Sequence, residues 1–455
     1  MRRWFVLAAT ALAAVALAAG CGGGAGAPAG ATGGAAAVVP ADSVAFVAID
    51  SDLGSSQWQA LDGLLGALPG GDSLVATLRK AVEQKGSLSW ADDVQPALGP
   101  ELDLAVLPAT GGKAQAVLLT QPPDPSKLDA LLAKLAARGT TAVSAQVGDW
   151  TAVSESQAAL DAVSSASSQL ADSTPYRDAS AKLADDALVR AFANGAEARR
   201  LVAALGGTLP AGGERLDWAA ADAVAASGGL KVDGFVRSEG GTTAAPYDAA
   251  LLQKIPSGQL LVADFQATHD TTLPVTSAPL LGALGKVAQT LGGETAVYVT
   301  PASPLPAVTL VTESSDPEAT VSAIEQALAD AGKSASGSGL GTFLGALALS
   351  HATVGSDLVV STSQQQVDAF RSGGAKLADD SAFRAARSAS GMPDRTTGFV
   401  YVNLKDAASA LSGLSSLGGG SGTRLALPAA LQSLTAYGTG SDGGVSGFTV
   451  YLAGR

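Results

Sequence analysis

The sequence repeats itself at long range. Val153-Ser154-Glu155-Ser156-Gln157 returns 207 positions later as Val360-Ser361-Thr362-Ser363-Gln364, and at the same offset Leu170-Ala171-Asp172 meets Leu377-Ala378-Asp379 and Tyr176-Arg177 meets Phe383-Arg384. Leu98-Gly99 with Glu101 matches Leu291-Gly292 with Glu294, and Thr120 with Asp124-Pro125 matches Thr312 with Asp316-Pro317. Asn194 meets Asn403, and Gly228-Gly229 with Gly234-Phe235 resemble Gly443-Gly444 with Gly447-Phe448. A period of about 200 residues is the size of a domain, so each copy must bury a core of its own. The expectation is two tandem homologous halves, 38–240 and 246–455.

Each half reads as alternating strands and helices. Val44 to Ile49 is a short apolar run, and Trp58, Leu61, Leu64, Leu65 and Leu68 then recur at helical spacing. Asp72 is placed to cap a further helix to about Gly86. Leu102 to Leu107 and Ala114 to Thr120, joined through Thr110-Gly111-Gly112, predict an antiparallel hairpin. Asp124-Pro125 predicts a helix start, a capping carboxylate before proline at the first helical position. Strands follow at Thr141 to Val147, Trp150 to Ser154, Ala187 to Ala193, Leu216 to Ala226 and Leu230 to Arg237, with helices after Ser156 and around Tyr176. The second half closes on a hairpin at Leu434 to Leu452. So many hairpin connections predict an α+β fold, each half a largely antiparallel sheet with helices packed on one face.

Composition narrows the chemistry. The 455 residues include two histidines and one cysteine, which leaves little for proteolytic triads, zinc sites or dithiol redox centres. The net charge of −13, with no basic cluster, argues against nucleic acid as a partner.

The cysteine has a distinctive address. Met1-Arg2-Arg3 is a basic start, Trp4 to Ala19 is apolar, and Leu17-Ala18-Ala19-Gly20-Cys21 follows. An apolar run of that length suits an export signal and falls short of the roughly 20 residues that cross a bilayer. The boundary resembles the lipobox of bacterial lipoproteins, with Ala18 where an aliphatic residue is usual and Leu17 one position further out. It implies residues 1–20 as a lipoprotein signal peptide, diacylglycerol attachment at Cys21, and a Gly/Ala tether over 21–37. Arg2-Arg3 leaves the general and twin-arginine export routes both open.

The remaining motifs have plain readings. Gly438-Thr439-Gly440-Ser441-Asp442-Gly443 matches a dinucleotide-binding string but precedes a strand near the chain end, so it is expected in a hairpin turn. Gly332-Lys333-Ser334 is expected at a helix C-terminus. His269 and His351 lack a nearby partner, and the adjacent pairs Asp92-Asp93, Asp185-Asp186 and Asp379-Asp380 point apart on either a helix or a strand. Ser156 and Ser363 are expected to cap helices, with Ser154 and Ser361 beside them, and Arg177 and Arg384 are expected to form ion pairs. Trp58, Trp90, Trp150 and Trp218 are expected to pack in cores or at their edges. No catalytic, cofactor-binding or metal-binding residue is assigned, and no cofactor is expected.

Pro40-Ala41-Asp42-Ser43 with Phe46 and Asp50, Gln57-Trp58, Ser89-Trp90-Ala91-Asp92-Asp93 with Leu98-Gly99, and Leu170-Ala171-Asp172 with Tyr176 together resemble the DUF3352 family of bacterial proteins. The resemblance implies export or membrane attachment and supplies no catalytic residues. The resulting expectation is a non-enzymatic lipoprotein on the outer face of the bacterial cytoplasmic membrane. Its body would bind or scaffold an envelope protein. Two alternatives are a carrier of an apolar, lipid-like ligand and a carboxylate-dependent hydrolase of envelope polymers.

Overall fold

The computed structural model describes residues 34–66, 75–77, 79–80, 83, 88–110, 113–139, 141–207, 213–226, 228–240, 244–267, 291–302, 306–334, 348–407 and 430–454. They form two units. The first holds residues up to 240 together with 441–448, and the second holds 244–440 with 449–454.

In the first unit the strands are β1 (Ala45–Asp50), β2 (Glu101–Thr110), β3 (Lys113–Thr120), β4 (Val143–Val147), β5 (Trp150–Ser154), β6 (Val189–Asn194), β7 (Leu216–Ala226) and β8 (Gly229–Ser238). They lie in the order β4-β5-β3-β2-β1-β6-β7-β8, and the neighbouring pairs are antiparallel. The helices are α1 (Ser56–Gly66), α2 (Pro125–Ala136), α3 (Gln157–Ser164), α4 (Thr174–Ser180) and α5 (Gly195–Ala204). Asp124 caps α2 as expected, accepting from Ser126 N–H at 3.0 Å with Pro125 at the first position. The helix expected from Asp72 lies largely outside the described residues.

Register places the core. Phe46 lies opposite Ala105 and Phe192, and Ala105 opposite Val117, so these residues share one face. That face packs on Ala159, Leu160 and Val163 of α3 and Ala179 of α4. Tyr176 stands edge-on to both Phe46 and Phe192, with ring centroids 5.9 and 5.3 Å apart. The other face is covered as well. Leu61 of α1 packs with Leu188 and Ala225, and Leu128 and Leu131 of α2 pack with Val94, Ala97 and Val153. Helices on one face only is therefore corrected to helices on both. The reason is legible in β1, where Ala45, Phe46, Val47 and Ala48 are all buried with no polar alternation.

The tether is corrected too. Ala35–Ala37, expected within it, form a 3₁₀ turn, and Ala35 and Ala36 are buried in the core.

The second unit contains β9 (Tyr247–Asp248), β10 (Leu261–Ala267), β11 (Gly292–Thr300), β12 (Ala307–Glu313), β13 (Ser350–Val354), β14 (Asp357–Ser361), β15 (Arg395–Thr396), β16 (Gly398–Asn403), β17 (Leu431–Asp442) and β18 (Val445–Gly454), β17 ending and β18 beginning in the first unit's 441–448 segment. Its sheet runs β13-β14-β12-β11-β10-β16-β17, with β9 and β15 paired separately. Reading β10 for β1, β11 for β2, β12 for β3, β13 for β4, β14 for β5, β16 for β6 and β17 for β7 gives the order of the first unit. Helices α7 (Gln364–Arg371) and α8 (Ser381–Ser390) cover the face of Val262, Tyr298 and Tyr401, and α6 (Pro317–Ser334) covers the face of Leu310 and Val360. Gly332-Lys333-Ser334 does end α6. The expected turn in Gly438–Gly443 narrows to Gly443-Gly444, both with positive φ, as a two-residue hairpin turn requires.

Candidate functional site

The repeated serines do the same job twice. Ser154 Oγ donates to Ala116 O at 2.8 Å and accepts from Ser156 N–H at 3.2 Å. Ser361 Oγ donates to Val308 O and accepts from Ser363 N–H, both at 3.2 Å. Ser156 and Ser363 occupy the N-cap positions of α3 and α7 without a side-chain cap bond, so the hydroxyl that ties strand to helix comes two residues earlier than expected. Arg177 and Arg384 are exposed, and neither forms an ion pair among the described residues.

Each unit buries a carboxylic acid beside a glutamate. In the first, Glu101 and Asp103 are two apart on β2 and share the core face with Phe46. Asp103 is fully buried, and its Oδ2 accepts from Ala35 N–H at 3.2 Å. Glu101 accepts from Arg190 at 3.0 Å. A Cβ on Gly34 would stand 2.9 Å from Glu101 Oε1, so the incoming chain passes directly over the pair. Burial, then the charge of Glu101, pushes Asp103 up to about 8. Asp103 Oδ1 has no donor to accept from, whereas a protonated Asp103 supplies the hydrogen that Glu101 can accept.

In the second unit Asp264 on β10 and Glu294 on β11 make the pair. Tyr247 Oη donates to Asp264 Oδ1, and Glu294 accepts from Ala250 N–H at 3.1 Å and Leu251 N–H at 2.7 Å. Burial pushes Asp264 up to about 8 and also raises Glu294. A narrow hollow reaches Glu101, Tyr176 and Arg190 but is not lined by Asp103.

The open space lies elsewhere. In the first unit a cleft of about 670 Å³ is bounded by Pro40–Asp42, the end of β2 at Leu107 and Pro108, α3 at Ala158, Ala159 and Ala162, and the Ser165–Ser168 loop. Two carboxylates line it, Asp42 and Glu197. Glu197 sits in the first turn of α5 and pairs with Arg200 at 2.5 Å.

Other expected sites fall as follows. Cys21 and His269 lie outside the described residues, and His351 is exposed on β13. Asp92 bonds Ser89, Asp93 pairs with Lys134, and Asp380 caps α8 through Ala382 and Phe383 N–H groups. Trp150 and Trp218 are buried, while Trp58 and Trp90 pack at core edges. Glu101 and Glu294 fall at matching positions of the long-range repeat, and neither belongs to a recognisable motif. That match was the available signal for the paired acids. Among the described residues no helix is long and apolar enough to cross a membrane, and no group of three His, Cys, Asp or Glu side chains is placed to hold a metal. Searches against protein-family models and curated proteins returned no match.

Proposed function

We propose that the chain is a lipoprotein of the bacterial envelope, held on the outer face of the cytoplasmic membrane through Cys21, whose duplicated body binds a partner or ligand without catalysis. Duplication is supported by the long-range repeats and by the matching strand orders, and DUF3352 membership belongs to the same proposal. The observation that carries a binding role is the cleft in the first unit, of a size suited to a small ligand or a few residues of a partner. The paired acids favour a structural role because their aspartates are buried under the chain rather than facing the cleft. Body and anchor are close in sequence. The 12 residues between Cys21 and Gly34 reach at most about 47 Å, which would keep the cleft near the membrane surface.

Replacing Cys21 with alanine should move the protein from the membrane fraction to the soluble exported fraction. Unchanged membrane association would overturn the anchor.

Hydrolysis is the second reading, and its specific support is that Asp42 and Glu197 line one cleft. It requires that cell-wall glycan be cleaved by the wild type and spared by Asp42→Asn and Glu197→Gln. A lipid carrier fits less well, because hydroxyls and carboxylates line the cleft. Native mass spectrometry of the chain would reveal a retained lipid.

A further inference from the structure

We propose that the cleft of the first unit takes an alkylammonium chain, the chemistry shared by a short diamine and a lysine side chain. The inference rests on the binding role proposed above and names its ligand class. The lining side chains include several hydroxyls, no lysine or arginine, and two carboxylates, of which Glu197 is paired with Arg200 and Asp42 carries the charge left for a ligand. An ammonium group brings three donors and a positive charge to acceptors such as Asp42 and Ser165, while its methylene stem needs only a smooth apolar wall. Ala158, Ala159 and Ala162 on α3, with Leu107 opposite, provide that wall. The net charge of −13 attracts cations over longer range.

The second unit carries a larger side chain at the matching place. Ala159 is the third residue of α3, and Gln366 is the third residue of α7. Gln366 is buried, and its Oε1 lies 3.1 Å from Thr300 Oγ1, which also lies 2.7 Å from Oε1 of the buried Gln259. Two amides and a hydroxyl thus fill the space with partners for one another. In the first unit alanine stands where Gln366 does, so the amide is missing and a cleft remains.

The test is isothermal titration of the full chain in detergent with three probes of similar length: 1,5-diaminopentane, pentane-1,5-diol and glutarate. The diamine should bind at least tenfold more tightly than the diol, glutarate should not bind, and affinity should fall as salt rises from 20 to 300 mM. Asp42→Asn, an exposed change, should weaken the diamine several-fold. Ala159→Gln should abolish binding while leaving tryptophan emission unchanged. If Ala159→Gln fails to fold, Asp42→Asn and the salt series still decide. Equal binding of diol and diamine, or wild-type affinity in Asp42→Asn, overturns the proposal. Tighter binding of glutarate would overturn the ligand class and leave a binding role standing. Silence with all three probes would remove the cleft as a ligand site, and Cys21→Ala fractionation would still test the anchor separately. An N-acetylated, amidated Ala-Lys-Ala peptide identifies the source: tighter binding than the diamine points to a protein lysine, weaker binding to a free diamine.

Discussion

Asp103 and Asp264 are acids placed where charge is expensive, and each fold accommodates its acid by keeping a proton. The native state holds that proton between the ordinary carboxyl value of 3.8 and about 8, a range in which the unfolded chain has released it. Folding therefore takes up a proton, and stability falls as pH rises through the window. It is fully present below about pH 4 and flat again above pH 8. Asp222, buried on β7 and pushed up to about 6, adds a shallower fall in the lower half of the range. Asn mimics the protonated acid, because its amide can donate toward the glutamate while its oxygen still accepts, from Ala35 N–H in one unit and from Tyr247 in the other. Asp103→Asn and Asp264→Asn should each flatten the decline in melting temperature between pH 5 and pH 8. Each should be more stable than wild type at pH 8 by on the order of 2 kcal/mol. A wild-type slope in both variants would show that the acids ionise without cost. The sequence exposed half of this arrangement. Glu101 and Glu294 fall at matching positions, but their partners stand on different strands, Asp103 on β2 and Asp264 on β10. No repeat match could pair them.

Among the elements, the matched strings turn out to mark junctions rather than chemistry. Gly99 leads into β2, where its N–H donates to Thr120 Oγ1 at 2.9 Å, and a Cβ there would overlap the backbone of Gln121. Gly292, its match, has only Glu313 O within range, at an ordinary 3.6 Å. The glycine of the repeated string is thus required at one position and tolerated at the other. Gly99→Ala should lower stability by about 2 to 3 kcal/mol through overpacking, while Gly292→Ala should change it by less than about 1 kcal/mol. Urea unfolding followed by circular dichroism compares them, and equal losses would contradict the contact geometry. Element type and pairing were legible because Asp124-Pro125 and the alternating strand residues act locally. The placement of helices on both faces was legible only in β1, whose Ala45 to Ala48 run has no polar alternation, whereas β7 is rich in alanine, which suits either a buried or a half-covered face. Least visible was the cleft, which depends on Ala159 being smaller than Gln366. A missing side chain leaves no motif.

On the scale of the molecule, chain order and spatial order part at the C-terminus. Residues 441–448 belong to the first unit, although some 200 residues separate them from β8. There the repeated Gly-Phe pieces meet each other. The Phe448 ring lies so close over Gly234 that a Cβ on that glycine would overlap it, and a Cβ on Gly447 would stand 2.8 Å from the Phe235 ring. Each glycine makes room for the other piece's aromatic ring, so the two strings that looked like copies act as partners. The first unit's stability then depends on residues some 200 positions beyond β8, a contact of high sequence separation. Of the five tryptophans Trp4 lies outside the described residues and Trp58, Trp90, Trp150 and Trp218 lie in the first unit, so changes in tryptophan emission on unfolding follow that unit. Phe448→Ala should lower its urea midpoint by an amount equivalent to about 2 to 3 kcal/mol. Ending the chain after residue 430 should lower it at least as far without altering a residue between 34 and 240. Phe235→Ala with Phe448→Ala should cost about the sum of the two single changes, because neighbouring strand residues point to opposite faces and each ring packs against a different glycine. An unchanged tryptophan-monitored midpoint in the shortened chain would mean that the first unit is complete by residue 240.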